Sequence, residues 1–328
     1  MIEIQHKNLV GTTFIDLFAG IGGFRLALES LGSKCVYSCE WDKQARKVYL
    51  ENFHDLPEGD ITKIDEYSIP DHDILCAGFP CQAFSKNGRQ LGFQDTRGTL
   101  FFDVARIVKA KRPKIIFMEN VRNFVRHDKG RTLSIVQETI EELGYTFFYQ
   151  VLNAYDYGIP QNRQRLYMVA FRQDLKIYDY TFPSPFPLQR HVENYLVDEK
   201  EAMYLYINPS LIDLWNKEDN VYANRPIRLG SVHQGRQGER IYSVKGTAIT
   251  LSAYGGGTFN KTGGYFINGQ ARKLHPRECA RLMGFPDTFR FASKPNQAYK
   301  QFGNSVVVDV IQIIAQTFPD MTKDQDKP

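Results

Sequence analysis

The sequence lacks the features that define several classes of protein. It contains no long apolar run, and its amino-terminal stretch, MIEIQHKNLVG, mixes charged with apolar side chains. A signal peptide or a membrane span requires a continuous apolar stretch, so we expect a cytoplasmic protein that makes no contact with a membrane. No internal repeat is evident in the sequence, which argues against a solenoid.

Cysteine is scarce, and its spacing fits neither a disulfide framework nor a zinc site. The five cysteines form no CxxC pair, and no histidine cluster accompanies them. We therefore expect reduced thiols and no bound metal. The net charge of +4 over 328 residues is small, which permits a polyanionic partner without requiring one.

The first half of the chain alternates short apolar runs with helical patterns. The runs TFIDLF, KCVYSCE, DHDILCAGF and KIIFMEN have the length and composition of buried strands. Strands that alternate with helices predict an α/β fold with a mostly parallel sheet and helices on both faces. Two further strand patterns, YTFFYQVLNA and RQRLYMVAFR, extend the predicted sheet to about Phe171.

The second half has a different composition, which predicts a second domain. The proline-rich segment TFPSPFPLQR reads as a connector. Residues 194–275 are rich in glycine and polar residues and predict a small, mainly β domain, while residues 1–193 and 276–328 form the larger one. Near the end, QFGNSVVVDVIQIIAQTF predicts an amphipathic helix entered through Gly303, Asn304 and Ser305, which are candidates to cap it.

The segment DLFAGIGG, which follows the first strand pattern, predicts a nucleotide site. Its glycines allow a ligand to approach the backbone where a helix begins; they are Gly20, Gly22 and Gly23. Glu40 lies twenty residues beyond Gly20, where nucleotide-binding sheets place a carboxylate for the ribose hydroxyls. Arg25 replaces the third glycine of the dinucleotide fingerprint, which disfavours an NAD enzyme.

Two more side chains fit an adenosine ligand. Trp41 can stack on adenine, and Asp60 fits a contact to the adenine amino group. Taken singly, Trp41 and Glu40 have ordinary structural explanations: core packing for the indole and a solvated surface charge for the carboxylate. Their combination with the glycine turn favours the nucleotide site.

The segment DILCAGFPCQAFS predicts a nucleophile at the sheet edge. Cys81 follows an apolar strand and a Gly-Phe-Pro turn, and Glu119 with Asn120 ends a later strand. Parallel strands would bring this thiol and this carboxylate to the same edge. The other four cysteines are expected to be inert, buried side chains; they are Cys35, Cys39, Cys76 and Cys279.

Five motifs follow one another along the chain in this order: DLFAGIGG, GFPCQAFS, MENV, QNRQR and QFGNSV. In this order they resemble those of bacterial type II DNA (cytosine-5-)-methyltransferases of restriction-modification systems. The small domain, with QGERIYS and LSAYGGG, is similar to that of the GCGC-recognising members. The resemblance covers nearly the whole chain and implies a Rossmann-like S-adenosylmethionine-dependent methyltransferase fold with a target-recognition domain at residues 194–275.

The resemblance implies methyl transfer from S-adenosylmethionine to carbon 5 of a flipped-out cytosine in double-stranded DNA, leaving S-adenosylhomocysteine. Cys81 would add to carbon 6, and Glu119 would hold ring nitrogen 3 and the amino group. Arg163 and Arg165 would hold the base oxygen and orient the pocket. The cofactor would be surrounded by Phe18, Gly20, Gly22, Gly23, Glu40, Trp41, Asp60, Ile61, Gly78, Pro80, Asn304 and Ser305.

DNA contacts are predicted in two regions. Gln237 and the loop from Pro80 to Thr99, including Asn87, are candidates to fill the gap left by the flipped base. Arg240 is expected to grip guanine, with Tyr254 and Gly257 completing base readout and Thr250 holding a phosphate. For any one of these, a contact to phosphate that positions the protein without reading sequence is an equally open alternative.

Other functions remain open at this stage. An enzyme that methylates amino groups would carry a D/N/S-P-P-Y/F motif, which the GFPC turn does not match. A transfer-RNA cytosine-5 methyltransferase and a catalytically silent DNA-binding relative are the better alternatives. For the leading prediction we expect a bacterial cytoplasmic monomer whose cognate restriction endonuclease is a functional rather than a physical partner.

Overall fold

A computed structural model describes residues 7–80, 100–215 and 221–320. The chain divides into two compact units, which we name after their main sheets. Of the described residues, the six-stranded unit contains 7–80, 100–152, 164–183 and 311–320, and the five-stranded unit contains 153–163, 184–215 and 221–310. Residues 194–215 and 221–275 of the predicted recognition domain lie within the five-stranded unit, and the predicted limits at 193 and 276 stay a prediction.

The strands and helices are numbered along the chain. The strands are β1 (Thr13–Leu17), β2 (Lys34–Cys39), β3 (Ile74–Ala77), β4 (Ile115–Val121), β5 (Tyr145–Asn153), β6 (Gln161–Asn162), β7 (Gln164–Arg172), β8 (Ile212–Leu214), β9 (Arg228–Val232), β10 (Arg240–Ser243), β11 (Ala248–Ile249), β12 (Gly264–Ile267) and β13 (Gln270–Lys273). The helices are α1 (Gly23–Ser30), α2 (Lys43–Phe53), α3 (Leu100–Lys111), α4 (Arg131–Glu142), α5 (Glu199–Ala202), α6 (Pro276–Leu282), α7 (Pro295–Asn304) and α8 (Val308–Gln316).

The six-stranded sheet confirms the predicted α/β architecture. Its strand order is β2-β1-β3-β4-β7-β5, and the first four strands run parallel. Strand β7 lies antiparallel to β4, with Glu119 opposite Tyr167 and Val121 opposite Arg165. The predicted extension of the sheet to about Phe171 is confirmed, since β7 ends at Arg172.

Helices cover both faces of this sheet. Successive side chains of β4 point to opposite faces, so they contact the helices on both sides. Met118 belongs to a buried cluster that includes Val104 of α3 and Val136 of α4. Phe117 faces the other side, where its ring lies 5.3 Å from that of Phe24 in α1. The predicted coverage of both faces is therefore confirmed.

The five-stranded unit holds the mainly β structure that the glycine-rich segment predicts. Its sheet has the order β13-β12-β10-β9-β8, and its core contains Val232, Ile241, Phe259 and Ala271. A short parallel pair, β6 with β11, forms a separate sheet in this unit. No helix in the described residues is long and apolar enough to cross a membrane.

The helix predicted near the end of the chain is present as α8, but its predicted entry is wrong, because Gly303 and Asn304 belong to the preceding helix α7. Helix α7 ends at Asn304, Ser305 adopts extended backbone angles, and α8 starts at Val308. The guanidinium of Arg163 explains the interruption, because it takes the carbonyls of Gly303 and Ser305 as acceptors at 3.0 and 2.7 Å. Asn304 and Ser305 thus lie at the end of one helix rather than at the start of another.

Candidate functional site

The predicted glycine turn joins β1 to α1 and leaves part of its backbone open. Phe18, Gly20 and Gly22 have positive φ angles of 57°, 56° and 90°. A Cβ on Gly20 would meet nothing within 4 Å, whereas one on Gly22 would lie 2.2 Å from a ring carbon of Phe53. Gly22 is therefore required by packing, while Gly20 offers the surface that a ligand can approach. Gly23 is buried as the first residue of α1.

Glu40, at the end of β2, lies against this turn. Its Oε2 accepts a hydrogen bond from the Gly20 N–H at 2.8 Å, and its Oε1 accepts one from the Asp42 N–H at 2.7 Å. Burial raises the pKa of Glu40, and these two bonds oppose that rise by favouring the carboxylate. Trp41 is 79% exposed and does not pack in the core. A carboxylate with remaining lone pairs and an exposed indole thus flank an open glycine backbone.

The remaining predicted cofactor residues of this unit follow β2 and β3. Asp60 starts a short 3-10 helix, in which its carboxylate accepts from the N–H and hydroxyl of Thr62, and these bonds lower its pKa. Ile61 is buried, Pro80 is exposed, and a Cβ on Gly78 would meet only Phe24, at 3.9 Å. An acidic group, an exposed aromatic and glycine surface fit the adenosine part of S-adenosylmethionine.

Asp16 is a buried acid that the sequence argument passed over. It lies in β1 two residues before Phe18 and is fully buried. Burial is the main reason that its pKa rises to about 8; Arg25 opposes the rise and Glu40 adds to it. The sequence signal for this buried acid is a charged residue within a strand pattern that is otherwise apolar.

The predicted carboxylate, Glu119, forms an ion pair with Arg165. The Arg165 Nε lies 3.1 Å from the Glu119 Oε1, and both side chains are nearly buried. The neighbouring Asn120 donates from Nδ2 to the Phe79 carbonyl at 2.9 Å. This bond, which the sequence argument missed, fixes the Gly-Phe-Pro turn against the end of β4; an amide directly after the strand carboxylate was its only signal.

Cys81 and Asn87, like all of residues 81–99, lie outside the described residues. The other four cysteines are free thiols, and burial raises the pKa of each, to about 12 for Cys35 and Cys39. These raised values agree with the expected inert side chains, because the neutral thiol is a poor nucleophile. The described residues contain no group of three or more histidines, cysteines and acids that could hold a metal.

Arg163 belongs to the five-stranded unit and is almost completely buried. Besides the carbonyls of Gly303 and Ser305, its guanidinium donates to the Leu251 carbonyl at 2.8 Å. Asn304 is exposed at the end of α7, and the half-buried Ser305 donates its hydroxyl to the Val306 carbonyl at 3.2 Å. In all three of these contacts the acceptor is a main-chain carbonyl and not an acidic side chain.

The predicted DNA-reading residues of this unit differ in how their polar groups are used. Gln237 and Tyr254 are exposed, and the partly buried Arg240 has no hydrogen-bond partner for its Nε among the described residues. Thr250 donates its hydroxyl proton to the Asn162 carbonyl at 2.6 Å. A phosphate cannot receive that proton unless this bond breaks, whereas the side chain of Tyr254 is exposed to a ligand.

Glycines join the segments that carry Gln237 and Tyr254. A Cβ on Gly238 would lie 1.8 Å from the Gly256 carbonyl oxygen, and one on Gly257 would lie 2.8 Å from the Gly238 oxygen. Phe259 N–H also donates to that Gly238 oxygen at 2.7 Å. Gly257 therefore has a packing role, in addition to the base contact predicted for it.

Comparisons with known proteins match one family model and several curated relatives. The model of the family described as C-5 cytosine-specific DNA methylase matches residues 12–319. The chain is 60% identical over 315 residues to the type II methyltransferase M.HhaI of Haemophilus parahaemolyticus, covering 96% of each chain. It is 44% identical to M.SsoII of Shigella sonnei, covering 92% of this chain and 78% of that protein.

Solved structures share the fold at lower identity. The S. pombe Dnmt2 methyltransferase superposes with a TM-score of 0.70 and 19% identity, covering 93% of this chain and 97% of the other. The Entamoeba histolytica methyltransferase EhMeth superposes with a TM-score of 0.68, also at 19% identity, covering 93% and 97%. These likenesses bear on the fold.

Proposed function

The chain belongs to the C-5 cytosine-specific DNA methylase family, and from that membership we propose which of its residues carry out the reaction and which DNA it modifies. The protein is an enzyme that transfers a methyl group from S-adenosylmethionine to carbon 5 of cytosine in DNA. The observation that carries this proposal is the Glu119–Arg165 pair, which is joined through Asn120 to the turn preceding Cys81.

In this proposal Cys81, as a thiolate, adds to carbon 6 of the cytosine. Glu119, as a protonated carboxyl, donates a hydrogen bond to ring nitrogen 3 and accepts one from the amino group, which stabilises the charge that develops on the ring and makes carbon 5 nucleophilic. Arg165 keeps the Glu119 carboxyl group in place and contacts the base oxygen. After methylation, water takes the carbon 5 proton as the bond between carbon 6 and sulfur breaks, so Cys81 leaves as a thiolate and the ring recovers its aromaticity.

S-adenosylmethionine, when bound, supplies an electrophilic methyl group on its sulfonium. We propose that Gly20 and Gly78 give it backbone surface, that Glu40 accepts hydrogen bonds from the ribose hydroxyls, and that Trp41 stacks on adenine. The other residues proposed to surround it are Phe18, Gly22, Gly23, Asp60, Ile61, Pro80, Asn304 and Ser305. No step in this proposal requires a metal ion.

For the DNA, we propose double-stranded sites that contain GCGC, with the inner cytosine as the target. The target base must leave the stack, at a cost of a few kcal/mol, and Gln237 with Asn87 is proposed to fill the gap. Arg240, whose side chain is only partly buried, is proposed to grip guanine by two hydrogen bonds. Tyr254, Gly257 and Thr250 are proposed to complete the contacts.

The biological setting follows from the relatives, whose names identify them as type II methyltransferases. We propose that the protein acts in the bacterial cytoplasm as a monomer and protects DNA from a cognate restriction endonuclease that it does not bind.

The test is methylation of an unmethylated plasmid with S-adenosylmethionine, followed by bisulfite sequencing. Protection confined to the inner cytosine of GCGC supports the proposed site, and protection at another consistent sequence overturns the assignment of Gln237, Arg240 and Tyr254. Cys81→Ala should abolish turnover while S-adenosylhomocysteine still binds. Steady methylation by that variant would contradict the covalent mechanism.

A further inference from the structure

Arg163 lies at a junction of three segments of the five-stranded unit. Its own segment follows β6; the second carries Leu251, and the third is the end of α7 with Gly303 and Ser305. The three guanidinium bonds measure 2.7 to 3.0 Å, and the side chain is 2% exposed. A planar guanidinium donates in several fixed directions at once, which suits a residue that must hold several carbonyls together.

Backbone packing holds the same two segments together independently of Arg163. A Cβ on Gly303 would lie 2.3 Å from both the Ala253 nitrogen and the Ser252 carbonyl carbon. The end of α7 therefore touches the main chain just before Tyr254. Any displacement of the Ser252–Ala253 backbone must displace Gly303 as well, because close-packed backbone transmits a shift rather than absorbing it.

The segment around Leu251 is also fixed to the segment of Arg163. The Thr250 hydroxyl donates to the Asn162 carbonyl, and the Leu251 N–H donates to the Gln161 side-chain oxygen at 3.2 Å. The Arg163 N–H in turn donates to the Asn153 side chain at 2.8 Å. Residues 250–254 are consequently held on one side by β6 and on the other by α7.

We infer that Arg163 is a positioning residue that couples DNA binding to cofactor binding. The inference rests on the proposed function, in which Tyr254 contacts DNA while Asn304 and Ser305 contact S-adenosylmethionine. A ligand that fixes one of these segments fixes the other through the Arg163 guanidinium, so the second ligand loses less conformational freedom when it binds. This role through its neighbours replaces the contact with the base oxygen that the resemblance implies for Arg163, because its side chain is buried and its guanidinium is bound to three main-chain carbonyls.

The experiment measures the dissociation constant of S-adenosylhomocysteine by calorimetry, alone and with a saturating duplex that carries the sequence identified by bisulfite mapping. The ratio of the two constants is the coupling factor, for which about 5 to 150 is typical of coupled sites. Arg163→Lys keeps the positive charge but not the planar guanidinium, and we expect its coupling factor to fall at least about threefold, while the packing of Gly303 against residues 252–253 retains the rest. Gly303→Ala should have the same effect without removing any charge.

Arg281→Lys is the matched control. Arg281 lies in the same unit and donates to the Tyr195 and Leu196 carbonyls at 3.2 and 2.8 Å, but it contacts neither segment 250–254 nor residues 303–305 in these bonds. We expect it to keep the coupling factor of the unaltered protein. Thermal melting of each variant distinguishes a loosened junction from an unfolded chain.

Hydrogen exchange of the unaltered protein tests the inference even where a variant does not fold. S-adenosylhomocysteine alone should slow the exchange of the Leu251 and Ser252 amides. Unchanged exchange there, a coupling factor near 1 in the unaltered protein, or an unchanged factor in folded Arg163→Lys would each overturn the inference. Absence of methylation by the unaltered protein would instead contradict the proposed function, so the two failures are distinguishable.

Discussion

The ion pair between Arg272 and Glu278 gives the sharpest stability prediction. Both side chains are at most 1% exposed, and their two hydrogen bonds measure 2.8 and 2.7 Å. Glu278 also accepts from the main-chain N–H groups of His275 and Val197, at 2.6 and 3.0 Å. Glu278→Gln keeps the shape but leaves the guanidinium buried without a countercharge, so we expect a loss of about 3–5 kcal/mol in the free energy of unfolding.

A second variant separates the charge from the packing. In Arg272→Met combined with Glu278→Gln, no uncompensated charge remains, and the amide oxygen introduced at position 278 still accepts from a main-chain N–H. Because most of the loss in Glu278→Gln is the cost of an unpaired buried charge, the double variant should recover at least about 2 kcal/mol relative to it.

The two tryptophans allow the measurement to follow one unit. Trp41 lies in the six-stranded unit and Trp215 in the five-stranded unit, where the Arg228 guanidinium lies 4.8 Å from the ring centre of Trp215. In a Trp41→Phe background, urea unfolding followed by fluorescence therefore reports the unit that contains the ion pair. A double variant no more stable than Glu278→Gln would refute the reasoning.

Three further outcomes are expected. Glu40→Gln should raise the dissociation constant of S-adenosylmethionine about tenfold in calorimetry, since a charged acceptor contributes more than a neutral one, and an unchanged constant would contradict its proposed ribose contact. Gly238→Ala should lower the melting temperature by several degrees, because its Cβ would overlap the Gly256 oxygen. The control Gly256→Ala should leave the melting temperature unchanged, because its Cβ meets nothing within 4 Å. Equal melting temperatures of the two variants would argue against that packing. The Asp16 pKa is raised from 3.8 to about 8, so between these values the folded protein binds more protons than the unfolded chain. The free energy of unfolding should therefore fall as pH rises from 5 to 8. Asp16→Asn should flatten this fall in urea titrations, and an equal slope in both proteins would count against the buried acid.

The sequence predicts those parts of the fold that depend on local pattern. The parallel strands follow from apolar runs that alternate with helical periods, and the spacing of Gly20 and Glu40 is sufficient to place both at one edge of adjacent strands. The antiparallel direction of β7 has no such local signal, because a strand of the same composition pairs either way. The direction of β7 is decided by its pairing with residues that are distant in the sequence.

The break between α7 and α8 illustrates the same limit. Val306, Val307 and Val308 continue the apolar period of the helix, so the local pattern favours one continuous element. The carbonyls of Gly303 and Ser305 are instead bound by Arg163, which lies 140 residues or more away in the sequence. The packing role of Gly257 against Gly238 was likewise hidden, since a glycine in a loop does not reveal which backbone it approaches.

The division of the chain into interleaved units has a consequence for biosynthesis. The six-stranded unit takes in residues 311–320, where the Phe318 ring lies 5.3 Å from that of Phe117 and the Asn8 side chain donates to the Ala315 carbonyl at 3.0 Å. Its core therefore cannot close until the ribosome has translated about as far as Phe318. A nascent chain shorter than that already carries Glu40 and Glu119, but its hydrophobic core is incomplete. We expect such a chain to expose apolar surface that chaperones and proteases recognise.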